Sequence, residues 1–350
     1  EFTIKVSYVG YSLFEKKVNI TKELKLNFEL NSDISKLKEV VIQSDLESQI
    51  ALPEIGVNTI TNKMLKSQPA LLGEPDLLKV ALNLPGVNNV GEGANGFNVR
   101  GGGIDQNLVL LDEAPIYNTA HLFGFLSVFN SDAIKSSKLY KGIPARYGGR
   151  ASSVLDVYQK EGSNKFGGSF QIGGIVERIM LEGPAFKGKG SFLIAGRILN
   201  PLITAAGIAL SEGTSDDYFG FYDLNAKLNY KLSEKDQLFL SGYFGNDQYT
   251  INLGSRGSVN SMDWSNKSAT LRWNRVMSPK LFSNFSAVYS NYKYRFGEQT
   301  GQRIGDWRAN ITNYTLKADF SYFQSDNQVL EFGVQSNFLQ VNPGEVSGDI

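Results

Sequence analysis

Two glycine-rich stretches and a single histidine set the chemical possibilities of this chain. "GEGANG", Gly91 to Gly96, satisfies the spacing G-x-G-x-x-G, and "VRGGG", Val99 to Gly103, puts three glycines after an arginine. Such clusters hold a phosphate when the first glycine ends a strand and the last opens a helix whose N-terminus faces the anion. Here the glycines follow the polar loop "VNNV" and lead into "FNVRGGG", which reads as a strand. No helix opens there, so the glycines are read as tight-turn residues with positive backbone angles, not as a nucleotide site. His121 is the one histidine and the chain has no cysteine. It lies in no HExxH or related metal spacing, and no nucleophile-elbow sequence accompanies it as the base of a triad. It reads as a loop histidine with a hydrogen-bond partner. Asp112 and Glu113, shortly before Pro115, read as turn formers and not as a catalytic pair. No metal, no organic cofactor and no enzymatic activity are expected.

The elements that carry these residues follow from composition and pattern. Lysine plus arginine equals aspartate plus glutamate, 35 of each, so no long-range pull toward nucleic acid or an anionic surface is expected. The 22 phenylalanines, 16 tyrosines and 36 glycines argue against disorder and for many tight turns. No run of about 18 apolar residues is present, so no membrane-spanning helix is expected. The chain opens "EFTIKVSYVGY", without a methionine and already alternating, and reads as a mature or fragmentary chain whose start lies upstream.

Residues 1–44 alternate in the β manner through "FTIKVSYVGY" and "KELKLNFEL", the end of a small β-sandwich, followed by a linker over 45–57. Residues 58–163 read as a mixed α+β unit. A short helix starts after Thr61, and a second starts with Pro75 in its first turn and stops at Pro85-Gly86. Short strands are expected over Phe97–Arg100, Asn107–Leu111, Ile134–Tyr140 and Val154–Tyr158.

From 164 to 350 the chain becomes a succession of alternating segments, each about 9–11 residues long. "DLNAKLNYKLS" sets Leu224, Ala226, Leu228 and Tyr230 against Asn225, Lys227, Asn229 and Lys231, and "NYTLKADFSYF" and "LEFGVQSNF" repeat the pattern. A soluble sandwich would turn the apolar face to its core. A membrane barrel turns it to lipid and lines a wet lumen with the polar face. Segment length, aromatic residues near segment ends and the parity of the joints favour the barrel. Tight joints at 187–190, 233–236, 278–280 and 325–328 alternate with longer polar ones near 199–219, 251–263 and 296–306. About nine barrel strands are expected, the rest lying beyond Ile350 or being supplied otherwise, because lipid does not tolerate open sheet edges.

The order of modules resembles one family. "SYVGYSLFEKKVNI…LKEVVIQSD" is similar to the end of a carboxypeptidase-regulatory-like sandwich, and Asn98 to Gly162 is similar to the plug of TonB-dependent outer-membrane receptors of the Bacteroidota type. The resemblance implies a mainly β chain: an α+β plug inside a large antiparallel transmembrane β-barrel, preceded by the end of the sandwich. Sandwich and linker would be periplasmic and the barrel would sit in the outer membrane. It further implies active import of a nutrient ligand, with TonB, powered by ExbB and ExbD, pulling on the plug. The lipid bilayer is a partner, a surface lipoprotein or other outer-membrane protein a further one, and nucleic acid none.

Within that frame, "EVVI", Glu39, Val40, Val41 and Ile42, is either the TonB-contacting segment or a last sandwich strand. Arg100, Arg146 and Arg150 are expected either to pair with carboxylates of the barrel wall or to satisfy plug carbonyls. Asn89, Glu92, Asn95, Tyr117, Asn118 and His121 are the expected substrate-facing residues of the plug loops. A scaffold role in a larger outer-membrane complex is the alternative to import, and a signal transducer passing occupancy to a periplasmic regulator a third reading. The substrate itself is not legible.

Overall fold

The computed structural model describes residues 2–6, 14–18, 26, 28, 56–68, 73–89, 91, 96–210, 217–253, 258–300, 303–325 and 328–348. The chain opens with an antiparallel pair, β1 (Phe2–Val6) and β2 (Phe14–Val18), with Phe2 opposite Val18. The segment Glu39–Ile42 and, apart from residues 26 and 28, the expected strand in 22–30 lie outside the described residues.

The α+β unit begins with β3 (Val57–Thr61), α1 (Asn62–Ser67) and α2 (Leu77–Leu82). Thr61 caps α1, its hydroxyl accepting from the Met64 amide at 3.2 Å. Asp76 caps α2, accepting from the Leu78 and Lys79 amides, so Pro75, expected in the first turn, sits just before the cap. Two hairpins follow: β4 (Val87–Asn89) with β5 (Phe97–Val99), and, further on, β8 (Ala120–His121) with β9 (Leu126–Ser127). Between and after them come β6 (Asn107–Leu111), β7 (Ala114–Pro115), β10 (Ile134–Tyr140) and β11 (Ser153–Gln159). Five strands form one sheet in the order β3-β10-β11-β6-β7, with β11 and β6 parallel. Leu77 and Ala81 of α2 pack with Ile60, Leu139, Leu155 and Val157 in one buried core. Gly96, at φ +108°, enters β5 directly, and that strand closes a hairpin. The G-x-G-x-x-G spacing therefore ends in a strand, and no helix dipole is available to a phosphate there.

The remaining strands are β12 (Gly167–Ile172), β13 (Val176–Ala185) and β14 (Gly190–Leu199), then, after helix α3 (Pro201–Leu210), β15 (Tyr218–Lys231) and β16 (Asp236–Leu253). They continue as β17 (Ser258–Ser278), β18 (Leu281–Thr300), β19 (Arg303–Ser325) and β20 (Gln328–Gly348). All nine pair antiparallel in sequence order. The tight joints fall where expected, but the strands are longer: β17 runs 21 residues and β19 runs 23. At about 3.3 Å per residue these are roughly twice the 9–11 residues that suffice to cross a bilayer, and the strands run on into the segments that join them. The joints near 251–263 and 296–306, expected as loops, are largely strand for this reason. The joint near 199–219, expected to be polar, contains α3, whose sequence PLITAAGIAL is wholly uncharged.

The orientation of the alternation decides between sandwich and barrel. In β15 Leu224 is 46% exposed, whereas Asn225 and Lys227 are 2% and 4% exposed. The apolar row faces out and the polar row faces the α+β unit, the reverse of a soluble sandwich. Ile194, Leu240, Leu271 and Leu316 continue the exposed apolar face on other strands.

Candidate plug–barrel contact site

The polar row of the sheet meets the α+β unit through a series of buried ion pairs. The β6–β7 turn places Asp112 and Glu113 at φ 45° and 72°, a left-handed turn that turns both carboxylates toward the sheet. Lys227 of β15 reaches Asp112 at 3.0 Å and donates to the Gln159 carbonyl at the same distance. Arg272 of β17 reaches Glu113 at 3.3 Å, and Lys317 of β19 approaches the same carboxylate at 4.0 Å. These positions are inward because each has the parity of the polar row.

A second group surrounds Arg197 of β14. Its Nε donates to Asp223 of β15 at 2.9 Å, its Nη1 lies 3.1 Å from Glu74, and its Nη2 donates to the Ser127 carbonyl at 2.9 Å. Arg178 of β13 shares Glu74 at 3.4 Å and Asp132 at 3.6 Å. Burial pushes the Asp132 carboxyl up, but the Lys66 hydrogen bond and the charges of Arg178 and Lys66 outweigh it and hold the group below its ordinary value. Buried pairs of this kind gain little over apolar packing, yet removal of one partner strands a charge, so they hold position more than they add stability.

His121 joins this group from the other side. It is 1% exposed, stacks on Phe221 with ring centroids 4.4 Å apart, and touches two wall carboxylates. Nδ1 lies 2.6 Å from Asp247 of β16 and Nε2 lies 3.2 Å from Asp223. Burial lowers its pKa, but the charge and hydrogen bonds of Asp247 and Asp223 outweigh burial, so it stands above its ordinary value. Among the described residues no cluster of three or more histidine, aspartate or glutamate side chains is arranged to hold a metal ion.

Several expected site residues stand elsewhere. His121, expected to face substrate, is buried as described, its two ring nitrogens meeting the Asp247 and Asp223 carboxylates of the sheet. Arg146 lies 3.7 Å from Glu331 of β20 and donates to the Tyr140 hydroxyl at 3.1 Å, with its guanidinium over the Tyr147 ring. Arg150 donates to the adjacent Gly149 carbonyl at 2.8 Å. Arg100, at φ 51°, extends beside Gly56, where an added Cβ would lie 3.5 Å from its guanidinium. Among the described residues, Arg146 is the member of this trio within 4 Å of a sheet carboxylate. Tyr117 and Asn118 border a cavity of 550 Å³ shared with Arg150 and Tyr292. Asn89 is exposed, its side-chain oxygen accepting from the Gly91 amide, while Glu92 and Asn95 lie outside the described residues.

Most of the seam thus reverses the expected polarity: the α+β unit supplies carboxylates and the sheet supplies cations. Sequence reasoning missed Glu74, Asp132, Arg178, Arg197, Asp223, Asp247 and Arg272. Lys227 was visible as a cation on the polar row, and the same parity test applied to β13, β14 and β17 would have found Arg178, Arg197 and Arg272.

With this geometry in view, residues 54–154 match the family model described as "TonB-dependent Receptor Plug Domain". No curated protein matches the chain in sequence. Among solved structures it resembles BauA, the ferric preacinetobactin receptor of Acinetobacter baumannii, at 14% identity and a TM-score of 0.56, over 81% of this chain and 46% of that one. It also resembles the siderophore receptor PirA of Pseudomonas aeruginosa, at 17% identity and a TM-score of 0.52, over 83% and 58% of the two chains. FpvA of Pseudomonas aeruginosa, solved with heterologous pyoverdines, matches at 13% identity and a TM-score of 0.57, over 84% and 43%. The chain spans about half the length of these receptors, and at such identities the likeness is one of fold. Residues 54–154 thus match the plug-domain model, and their described part packs against a nine-stranded antiparallel sheet similar in fold to part of these receptors.

Proposed function

We propose that the chain is the plug-bearing part of a TonB-dependent importer of the outer membrane, taking up a nutrient ligand against its gradient. The observation that carries this reading is the buried seam between plug and sheet, on a sheet whose other face is an exposed apolar row. A plug held by ion pairs blocks diffusion, yet water competes for each pair, so the contacts separate under a directed pull. Polar atoms such as Asp112 Oδ2 and Asn225 Oδ1 have no protein partner among the described residues, which suits a seam completed by hydration.

In this reading residues 58–163 are the plug and residues from 164 onward enter the barrel. Residues 1–44 end a periplasmic carboxypeptidase-regulatory-like sandwich of the Bacteroidota type, and 45–57 link it to the plug. Glu39–Ile42 pairs with TonB by adding a strand, ExbB and ExbD supply the energy, and a surface lipoprotein is a fitting outer partner. Ligand meets the plug loops that carry Asn89, Glu92, Asn95, Tyr117 and Asn118, on the side away from the tight strand joints. The test is titration of the detergent-solubilised chain with the periplasmic domain of TonB by calorimetry. Deleting Glu39–Ile42 is expected to abolish binding while heat-modifiable mobility, the mark of a folded barrel, persists. Binding unchanged by the deletion refutes the assignment of that segment.

A further inference from the structure

His121 sits between two features that no role has yet connected. Behind it are the wall carboxylates, and directly after it comes a strained turn. Leu122 and Phe123 are consecutive non-glycine residues in the left-handed region, at φ 52° and 55°. Asp247 holds this turn twice: Oδ2 meets the His121 ring, and Oδ1 accepts from the Leu122 amide at 3.0 Å. The turn presents Phe123, 44% exposed, against Tyr249 and Trp264 at ring-centroid distances of 4.3 and 5.3 Å.

Both ring nitrogens of His121 face carboxylate oxygens. A neutral imidazole has one N–H, so in either tautomer a lone pair would confront a carboxylate; the imidazolium satisfies both. The groups facing the ring are Asp223 on β15, Asp247 on β16, and the Tyr243 hydroxyl 3.4 Å from Nε2. Arg197 on β14 holds Asp223, Glu74 holds Arg197, and the Tyr249 hydroxyl reaches Asp247 at 3.4 Å. When the Nε2 proton leaves, the Tyr243 hydroxyl can donate to the ring and the bond to Asp223 is lost.

We propose that His121 is the positioning residue of the plug's Leu122–Phe123 turn, an imidazolium pin that fastens the turn to β15 and β16 and loses its hold on β15 when the ring is deprotonated. The pin fastens the plug at the same end as the exposed Phe123. That this end receives ligand rests on the import reading, but the pin itself is tested without ligand or TonB, so the two fail separately.

Hydrogen exchange of amides 119–127 in the detergent-solubilised full-length chain, corrected for the intrinsic pH dependence, reads the turn directly. Protection is expected to fall about tenfold or more as pH rises through the histidine titration, the loss of one charge-assisted bond. His121→Phe keeps the stacking on Phe221 but carries no proton, and is expected to show low protection at every pH. His121→Lys restores a cation and is expected to recover protection in part, with no step near neutrality. A His121→Phe chain with wild-type protection overturns the proposal, as does a wild-type profile without a pH step. Should the variants fail to fold, the 13C signal of the His121 ring in the wild-type chain decides. A ring charged above pH about 6.5 supports the pin, and a neutral ring at that pH overturns it.

Discussion

Replacement of Arg197 by methionine tests whether the ion pairs of the plug–sheet seam are buried contacts or exposed ones. Arg197 is 2% exposed, and its guanidinium bonds Asp223, Glu74 and the Ser127 carbonyl at 2.9, 3.1 and 2.9 Å. Methionine keeps much of the length and removes the charge. Asp223 then retains His121, and Glu74 retains Arg178 at 3.4 Å, but two buried carboxylates share too little positive charge. Breaking one partner of a buried pair costs about 3–5 kcal/mol, against about 0–1 kcal/mol for an exposed pair. Equilibrium unfolding of the solubilised chain in guanidinium, read at the plug, is expected to show a loss in the higher range. The double variant Arg197→Met with Asp223→Asn is expected to lose less than the sum of its parts, since the second change removes the stranded charge. A loss below about 1 kcal/mol, or strict additivity, refutes the buried contacts.

Other perturbations probe other parts of the structure. Asp132 is held below its ordinary value in the folded plug, so its contribution is present above the unfolded carboxylate value and is lost as pH falls through the folded one. Asp132→Asn is expected to flatten the acid limb of a stability–pH profile below about pH 4, and an unchanged limb counts against the Lys66 and Arg178 contacts. Leu224→Arg puts a charge on the exposed apolar row and is expected to cost about 2–4 kcal/mol if that row meets the bilayer middle, read as reduced folding into vesicles. Unimpaired insertion would place Leu224 outside the hydrocarbon. Gly162, at φ +86°, has the Phe192 carbonyl oxygen 2.2 Å from where a Cβ would stand. Gly162→Ala is expected to destabilise the plug-to-sheet junction by about 1 kcal/mol or more in a thermal melt, and a neutral effect would refute the tight approach. Asp76→Ala removes both the α2 cap and the bond to the Ser127 amide at 2.7 Å, with an expected loss of about 2 kcal/mol by denaturant titration.

Much of the fold was legible because it depends on near neighbours in sequence. The hydroxyl of Thr61 caps a helix three residues away, and the tight joints at 233–236 and 278–280 are local turns. The ends of the long strands were less legible. Alternation carries on through polar residues such as Asn260 and Glu298, and composition there resembled a loop, although both residues pair in the sheet. The roles of Asp112 and Glu113 were half legible: the turn was expected, but the partners were not. Those partners, Lys227 and Arg272, are 115 and 159 positions away.

The sequence by itself determined the period of each long strand, the number of those strands, the Thr61 helix cap and the failure of the glycine spacing to make a phosphate site. All of these are set by backbone geometry within a few residues. Segment length, aromatic ends and joint parity pointed to the polar row facing inward, but tertiary structure alone decided which charges meet. A period of two is identical for a strand with its apolar face inside or outside, so alternation by itself leaves the facing open, and the plug fixes it by occupying the polar side. The same docking sets His121 between Asp223 and Asp247, strands apart in sequence but adjacent in the sheet, and so makes a loop histidine a buried cation.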